Sequence, residues 1–236
     1  MTTCSRSPGT EAHPAGEDRR HQARRRAVIV TSAAGQEDPA YIARLVEPSD
    51  IVIGADGGAA VVLRLGLRPD LVVGDLDSLD PVALREVEAV SPVEVHPVRK
   101  DRTDTHLAIE RARAQGVSEI VVCGAFGDRP DHNLGLLLLV AGLEAPPRVR
   151  LVGARYEAFI ARGRSELSGR PGDVVSLLPL SPTVTGITTE GLLYPLEGTV
   201  LSWGETLGVS NEMLGSEAAV TCETGVLLVV HLKGRW

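Results

Sequence analysis

The sequence predicts an α/β protein: an N-terminal doubly wound, mainly parallel sheet domain is followed by an all-β, sandwich-like domain. Two observations lead to this prediction. Between residues 27 and 152, short and continuously apolar runs alternate with helical stretches, which is typical of parallel strands covered on both faces. After about residue 160, helical periodicity disappears and turn residues separate short β-prone runs.

Length and composition are those of a folded chain with one large domain or two small ones. The 236 residues are 43% hydrophobic and only 3% aromatic, so the core must consist mainly of aliphatic side chains. Six arginines and no periodicity in residues 1–26 predict a disordered, Arg-rich tail. We therefore predict three segments, namely the tail 1–26, an α/β domain 27–160 and a β-domain 161–236.

Charge and cysteine content narrow the class of protein. A net charge of -7 argues against nucleic-acid binding. Three cysteines far apart form neither a disulfide framework nor a zinc spacing, which favours a reducing, cytoplasmic setting. The longest apolar run, 134–143, is too short to span a bilayer, and the N-terminus lacks the apolar region of a secretory signal. We expect no membrane association.

The α/β half is predicted element by element. Apolar strands are expected at 27–30, 51–53, 71–73, 93–95, 120–123 and 149–152. Helices should lie between them, near 39–46, 58–65, 81–89, 104–115 and 133–143, with Asp80 as an N-cap and Pro81 at the first helical position. In the β half, strands are expected at 174–178, 184–187, 199–202, 218–221 and 226–232.

An acidic stretch follows the third strand, where Gly74 is followed by Asp75 and Asp77. In an extended chain, residues two apart point the same way, so both carboxylates would face one spot about 6–7 Å apart. Their repulsion, roughly 2–3 kcal/mol at an effective dielectric near 20, would be relieved by a cation such as Mg²⁺. The alternative is that both aspartates bind turn amides. The stretch by itself leaves both interpretations open.

Several other polar loops follow predicted strands. Ligands of open α/β sheets bind at the carboxyl ends of the strands, so Asp56, Asp75, Asp77, Asp104 and Arg129 can converge on one cleft. Carboxylates for a metal, nearby Lys or Arg and glycine-rich loops together are what phosphoryl-group transfer requires. The sequence has neither a P-loop nor a dinucleotide-binding glycine motif.

Six short segments follow one another along the chain: Asp56-Gly57-Gly58-Ala59, Pro69-Asp70 with Gly74-Asp75-Leu76-Asp77-Ser78, Lys100-Asp101-Arg102-Thr103-Asp104, Gly127-Asp128-Arg129-Pro130-Asp131-His132, residues 185–196, and Gly208-Val209-Ser210-Asn211-Glu212. This ordered set of motifs, rather than any one of them, resembles the thiamine pyrophosphokinase family from about residue 27 to the C-terminus.

The resemblance implies an enzyme that transfers the pyrophosphoryl group of ATP to the hydroxyl of thiamine, giving thiamine diphosphate and AMP. It implies Mg²⁺ as cofactor and a homodimer with thiamine at the subunit interface. Segment 27–160 would be the ATP-binding catalytic domain and 161–236 the thiamine-binding and dimerisation domain. The implied residues are Asp75, Asp77 and Asp104 for the metal, these three and Arg129 for catalysis, Asp56, Gly57, Gly58, Lys100, Asp101, Thr103, Arg129, Asp131 and His132 for ATP, and Tyr194, Ser210 and Asn211 for thiamine.

Two departures and three alternatives accompany this expectation. Relatives commonly carry Asn four residues after the histidine, where this chain has Leu136, and Phe126-Gly127-Asp128 makes the Arg129 loop more acidic than usual. The alternatives are a thiamine kinase that moves only the γ-phosphate, a non-catalytic nucleotide- or thiamine-binding relative, and a Mg²⁺-dependent hydrolase. No His or Lys is identified as the general base, and Asp75 or Asp77 is the hypothesis for the proton acceptor.

Overall fold

The computed structural model describes residues 25–234, so the predicted tail lies almost wholly outside the described part. Within residues 25–234, no helix has both the length and the apolar character needed to cross a membrane.

The parallel sheet is confirmed. Its strands lie in the order β4-β3-β2-β1-β5-β6, and every neighbouring pair is parallel. The pairing places Val28 of the central strand between Val52 and Val121. The strands are β1 Arg26–Val30, β2 Ile51–Ala55, β3 Leu71–Gly74, β4 Val93–Val95, β5 Glu119–Cys123 and β6 Arg148–Gly153.

Helices cover both faces of this sheet because alternate residues of each buried strand point to opposite sides. Ile29 and Val122 share a core with helices α4 and α5, whereas Val28 and Val121 share another with α1 and α2. The helices are α1 Pro39–Leu45, α2 Gly58–Arg64, α3 Pro81–Val90, α4 Asp104–Ala114 and α5 Pro130–Gly142, with a 3₁₀ helix at Ser32–Gln36.

The first residues of helices α3 and α5 follow the known residue preferences of helix N-termini. The Asp80 carboxylate accepts hydrogen bonds from the amides of Val82 and Ala83, which confirms Asp80 as the N-cap of α3. Helix α5 begins three residues earlier than predicted, because Pro130 takes its first position.

The strand order creates a crevice at one edge of the sheet. From β1 the chain proceeds outward through β2, β3 and β4, then returns to place β5 and β6 on the other side of β1. The loops after β1 and β5 therefore diverge to opposite faces at the carboxyl edge. Such a switch point is where open α/β sheets bind ligands.

The C-terminal half is built on two long strands, β7 and β12, which pair antiparallel along nearly their whole length. The first half of β12 also pairs with β9 and the second half with β8. The two sequence runs predicted at 218–221 and 226–232 are thus one strand, interrupted by a register shift between Cys222 and Leu227. Its strands are β7 Tyr156–Ser168, β8 Val174–Pro179, β9 Thr183–Glu190, β10 Thr199–Ser202, β11 Asn211–Glu212 and β12 Glu217–Leu232.

Strand β7, which the sequence did not reveal, joins the two halves. It pairs antiparallel with β6 of the first half and with β12 of the second. A third core, which includes Phe159, Leu177 and Ile187, lies among the C-terminal strands and accounts for their sandwich-like packing. The predicted boundary at 160/161 falls inside β7, and the division into domains stays a prediction.

Candidate active site

A cleft of about 800 Å³ opens at the carboxyl edge of the parallel sheet. Its walls come from the loops after β1, β2, β3 and β5, from the segment 98–106, and from the first turns of α5. Most predicted nucleotide residues line it, namely Asp56, Asp75, Lys100, Asp101, Thr103, Asp104, Arg129, Asp131 and His132. Within residues 25–234 the cleft lining does not include Gly57, Gly58 or Asp77.

Three carboxylates meet in this cleft, because one oxygen each of Asp56, Asp75 and Asp104 lies within 4.8 Å of the others. Asp56 follows β2 in a left-handed conformation (φ 50°), and its amide donates to the Val73 carbonyl at 2.9 Å. Asp104 begins α4, after Thr103, whose hydroxyl accepts from the His106 amide as the N-cap. Three separate loops therefore bring the cluster together.

Gly74 makes room for the cluster. A Cβ atom at this position would lie 3.2 Å from the Cβ of Asp56 and 3.3 Å from Asp104 Oδ1, which is tighter than most real contacts of a Cβ atom. The glycine that ends β3 therefore lets Asp56 and Asp104 lie close to Asp75.

Asp77 lies differently from the sequence expectation. Leu76 between the two aspartates has φ 62° and is buried, so the chain turns instead of staying extended. The Asp77 amide contacts Asp75 Oδ1 at 3.4 Å, and the Asp77 side chain is exposed. The extended conformation expected between Asp75 and Asp77 is therefore wrong, although the two carboxylates still lie close enough to influence each other. Among the described residues, the three carboxylates that meet are those of Asp56, Asp75 and Asp104, and Asp77 stays a predicted ligand.

Lys100 lies against the cluster. Its Nζ donates to Asp75 Oδ2 at 2.8 Å and lies 2.9 Å from Asp104 Oδ1, at an angle that does not make the second contact a hydrogen bond. The hydrogen bond from Lys100 lowers the pKa of Asp75. Burial opposes the charge on Lys100, but the two carboxylates outweigh it and raise the pKa of its ammonium.

The pKa of Asp77 shifts upwards, in the direction opposite to that of Asp75. The negative charge of Asp75, followed by those of Asp56 and Asp104, raises the pKa of Asp77. The two aspartates of one loop therefore have pKa values shifted in opposite directions, because Lys100 contacts Asp75.

The cluster fits a divalent metal. Within the described part of the chain, Asp56 Oδ1 is buried and has no hydrogen-bond partner, and the buried Asp104 Oδ1 has the Lys100 ammonium beside it at 2.9 Å without a hydrogen bond of good geometry. A buried carboxylate oxygen without a donor is costly, so such atoms commonly indicate an ion or a water at the site. Carboxylate oxygens are hard ligands that suit Mg²⁺ and similar cations.

The loop after β5 forms the opposite wall. Arg129, just before α5, donates from Nε and Nη2 to the two oxygens of Asp131 at 2.9 and 2.6 Å. Both side chains are exposed, and Arg129 holds the pKa of the Asp131 carboxyl well below its usual range. Asn133 holds the loop in shape through two hydrogen bonds with the backbone of Gly127. Sequence reasoning missed Asn133, whose only signal was an amide side chain just after the loop.

Leu136 lies one turn further along α5 and lines the cleft while being only 8% exposed. With Leu139 it makes the inner part of this wall apolar. At position 136, which lines the cleft, this chain therefore has a hydrocarbon side chain where relatives commonly have the amide of asparagine.

The predicted thiamine residues lie together in the β half and, within residues 25–234, are not part of the cleft lining. Asn211 is buried, and its Oδ1 accepts from the amides of Tyr194 and Glu212 at 3.0 and 2.9 Å. Its Nδ2 donates to the Tyr194 carbonyl at 2.7 Å. Ser210 adopts φ 62°, and its amide donates to Ser176 Oγ. Asn211 thus fixes the loop that exposes the Tyr194 ring.

Comparison with known proteins agrees with this architecture. The family model described as thiamin pyrophosphokinase, catalytic domain, matches residues 42–151, and the one described as thiamin pyrophosphokinase, vitamin B1 binding domain, matches 164–227. Thiamine pyrophosphokinase of Bacillus subtilis is 29% identical over 183 residues, covering 76% of this chain and 86% of the relative. Thiamine pyrophosphokinase 1 of Oryza sativa is 25% identical, covering 88% and 87%.

A crystal structure of the Bacillus subtilis thiamine pyrophosphokinase superposes with a TM-score of 0.80 at 24% identity, over 89% of this chain and 100% of that one. At this identity the superposition shows a shared fold. The two family models together span most of the chain, with the catalytic domain first and the vitamin B1 binding domain second. The chain belongs to the thiamin pyrophosphokinase family.

Proposed function

We infer that this protein transfers the pyrophosphoryl group of ATP to the hydroxyl of thiamine, giving thiamine diphosphate and AMP. The observation that supports this most directly is the Asp56, Asp75 and Asp104 cluster beside Lys100, in a chain that matches both family models. Carboxylates for a metal and cations for phosphates at one sheet edge are what phosphoryl transfer requires.

Mg²⁺ is the proposed metal, held by Asp56, Asp75 and Asp104. When bound, it would neutralise charge on the triphosphate and polarise the phosphorus–oxygen bond. Asp77, at the exposed edge of the same loop, stays a predicted ligand. Lys100 and Arg129 would bind phosphate oxygens from two sides of the cleft, because these cations line it from different loops.

In the reaction, the thiamine oxygen forms a bond to the β-phosphorus of ATP, and the bond from that phosphorus to the bridging oxygen of the α-phosphate breaks. AMP leaves with that oxygen. Holding both substrates in line can supply about 7–11 kcal/mol of the barrier reduction. The hydroxyl proton goes to Asp75 or Asp77 in our proposal, because both carboxylates belong to the loop at the metal site and no His or Lys is identified as the base.

The thiamine side of the reaction is proposed to involve a second copy of the chain. The segment 193–214, here called the 193–214 surface, exposes several large apolar side chains, with Trp203 75%, Leu207 70%, Tyr194 64% and Leu214 60% exposed. Apolar patches of this kind mark interaction sites. A homodimer that covers this surface would place the predicted thiamine residues Tyr194, Ser210 and Asn211 at the subunit interface, as the family resemblance implies.

One incubation tests the proposed reaction. Purified protein is mixed with ATP, Mg²⁺ and thiamine, and the products are separated by chromatography. AMP and thiamine diphosphate in equal amounts are expected, and only when thiamine is present. ADP would indicate γ-phosphate transfer instead, phosphate release without thiamine would indicate a hydrolase, and ligand binding without turnover would indicate a non-catalytic relative. Asp75→Asn, which removes one cluster carboxylate, is the control for contaminating kinases.

Light scattering of the purified protein tests the dimer. A mass of one chain at micromolar concentration would contradict it. Trp203→Ser, which removes the most exposed aromatic of the 193–214 surface, should weaken the association. The cytoplasmic setting and the absence of nucleic-acid partners stay predictions.

A further inference from the structure

Lysine is rare in this chain. Of its 24 basic residues, only Lys100 and Lys233 are lysines, and the rest are arginines. The one lysine of the α/β half points into the carboxylate cluster. Its side chain is 13% exposed, and those of Asp75 and Asp104 are 12% and 21% exposed. The side chains of Lys100, Asp75 and Asp104 are therefore much less exposed to water than those of the Arg129–Asp131 ion pair of the cleft, in which both side chains are more than 60% exposed.

Lys100 and a divalent metal need the same carboxylates. The ammonium lies 2.8 Å from Asp75 Oδ2 and 2.9 Å from Asp104 Oδ1. A Mg²⁺ ion would take oxygens of these residues at about 2.0–2.1 Å. Two cations on one pair of carboxylates would repel each other at short range, where little water screens them.

The chain around Lys100 permits its side chain to leave. Residues 96–103 contain neither helix nor strand, and Val98 is 66% exposed. Lysine also has a flexible four-carbon stem and a compact charge, whereas the planar guanidinium of arginine is rigid. The ammonium can therefore move from the carboxylates to another anion without disturbing the core.

We propose that Lys100 competes with the divalent metal for Asp75 and Asp104, so that the metal binds tightly only together with nucleotide. The phosphates of the nucleotide receive the displaced ammonium, a step that rests on the proposed function. Lys100 is thus a positioning residue that couples metal binding to nucleotide binding.

Calorimetric titration of nucleotide-free protein with Mg²⁺ tests the competition without any turnover. We expect Lys100→Met to bind Mg²⁺ at least tenfold more tightly than the wild type, because the metal no longer displaces an ammonium. Lys100→Arg should retain the weak binding of the wild type. With a non-hydrolysable ATP analogue present, the wild type should gain at least tenfold more metal affinity than Lys100→Met gains.

Arg102→Met is the matched control. Arg102 lies in the same loop and lines the cleft, but its guanidinium pairs with Glu110 at 2.7 Å. The variant removes the same charge without touching the cluster, and its Mg²⁺ affinity should stay within about twofold of the wild type. Equal or weaker binding by Lys100→Met overturns the proposal. So does an equal gain in Arg102→Met, which would show a general effect of net charge.

Thermal unfolding gives a second readout that remains useful if Lys100→Met folds poorly. Removing the ammonium leaves three carboxylates together, so the variant should melt below the wild type without metal. Mg²⁺ should then raise its Tm at least twice as much as that of the wild type. No response to Mg²⁺ overturns the competition. If the competition is observed but ATP and thiamine yield no AMP, the proposed function alone fails.

Discussion

Replacing Gly58 by alanine should destabilise the fold, whereas replacing its neighbour Gly57 should not. A Cβ atom at Gly58 would lie 1.9 Å from the carbonyl oxygen of Val30. A Cβ atom at Gly57 would lie closest to the hydroxyl oxygens of Ser78 and Ser32, at 2.7 and 2.9 Å, and 3.4 Å from the Ser32 Cβ. These hydroxyls are the ends of side chains that can rotate away, but a carbonyl oxygen is part of the backbone.

The size of the effect follows from the position of Val30 in the sheet. Ordinary van der Waals contact begins at 3.4 Å, so the clash at Gly58 is about 1.5 Å too close. Val30 is paired with Gly54 on one side and Cys123 on the other, so β1 cannot shift. Helix α2 would have to move outward and expose buried residues such as Val62. Overpacking of this kind costs about 3 kcal/mol or more when the backbone cannot yield.

Urea unfolding followed by circular dichroism measures both variants. With a slope of about 3 kcal/mol per molar urea, Gly58→Ala should lower the midpoint by about 1 M or more. Gly57 has φ -56°, which alanine adopts readily, so Gly57→Ala should change the free energy of unfolding by less than about 1 kcal/mol. A Gly58→Ala variant as stable as Gly57→Ala would refute the reasoning and return the glycine pair to a purely ligand-binding role.

Three further predictions concern the site and its surroundings. Asp56→Asn should lower kcat about 100-fold and weaken Mg²⁺ binding by calorimetry; unchanged values would remove Asp56 from the metal site. Asn211→Ala should raise KM for thiamine more than it lowers kcat in steady-state assays, because it releases the Tyr194 loop; an unchanged KM would contradict this. Burial opposes the charge of Glu157, but Arg150 outweighs it and lowers the pKa. The stability that this carboxylate contributes is therefore present above its ordinary pKa of 4.5 and lost as the pH falls through the lower folded-state value. Glu157→Gln should cost about 1.5–3 kcal/mol at pH 7 in urea unfolding, and the difference from wild type should shrink below pH 4.5; a constant difference would refute it.

The sequence by itself determined the α/β half and the order of its motifs. Continuous apolar runs encode parallel strands buried on both faces, and local signals such as Asp80 followed by Pro81 encode helix starts. Both depend on neighbouring residues, so they can be read from a linear pattern. The same pattern missed β7 and divided β12 in two, because these long strands are defined by pairing partners far away along the chain.

Only the tertiary structure decided which carboxylates share a site. The spacing of Asp75 and Asp77 suggested a pair on an extended chain, but the chain turns at Leu76, and Asp56 from another strand joins Asp75 and Asp104 in the cluster. Lys100 was expected to contact phosphate, and its position against Asp75 and Asp104 became visible only when the loops were brought together. Residue types and motif order are local properties of the chain, whereas the distances among side chains from several loops arise from packing the sheet that carries them.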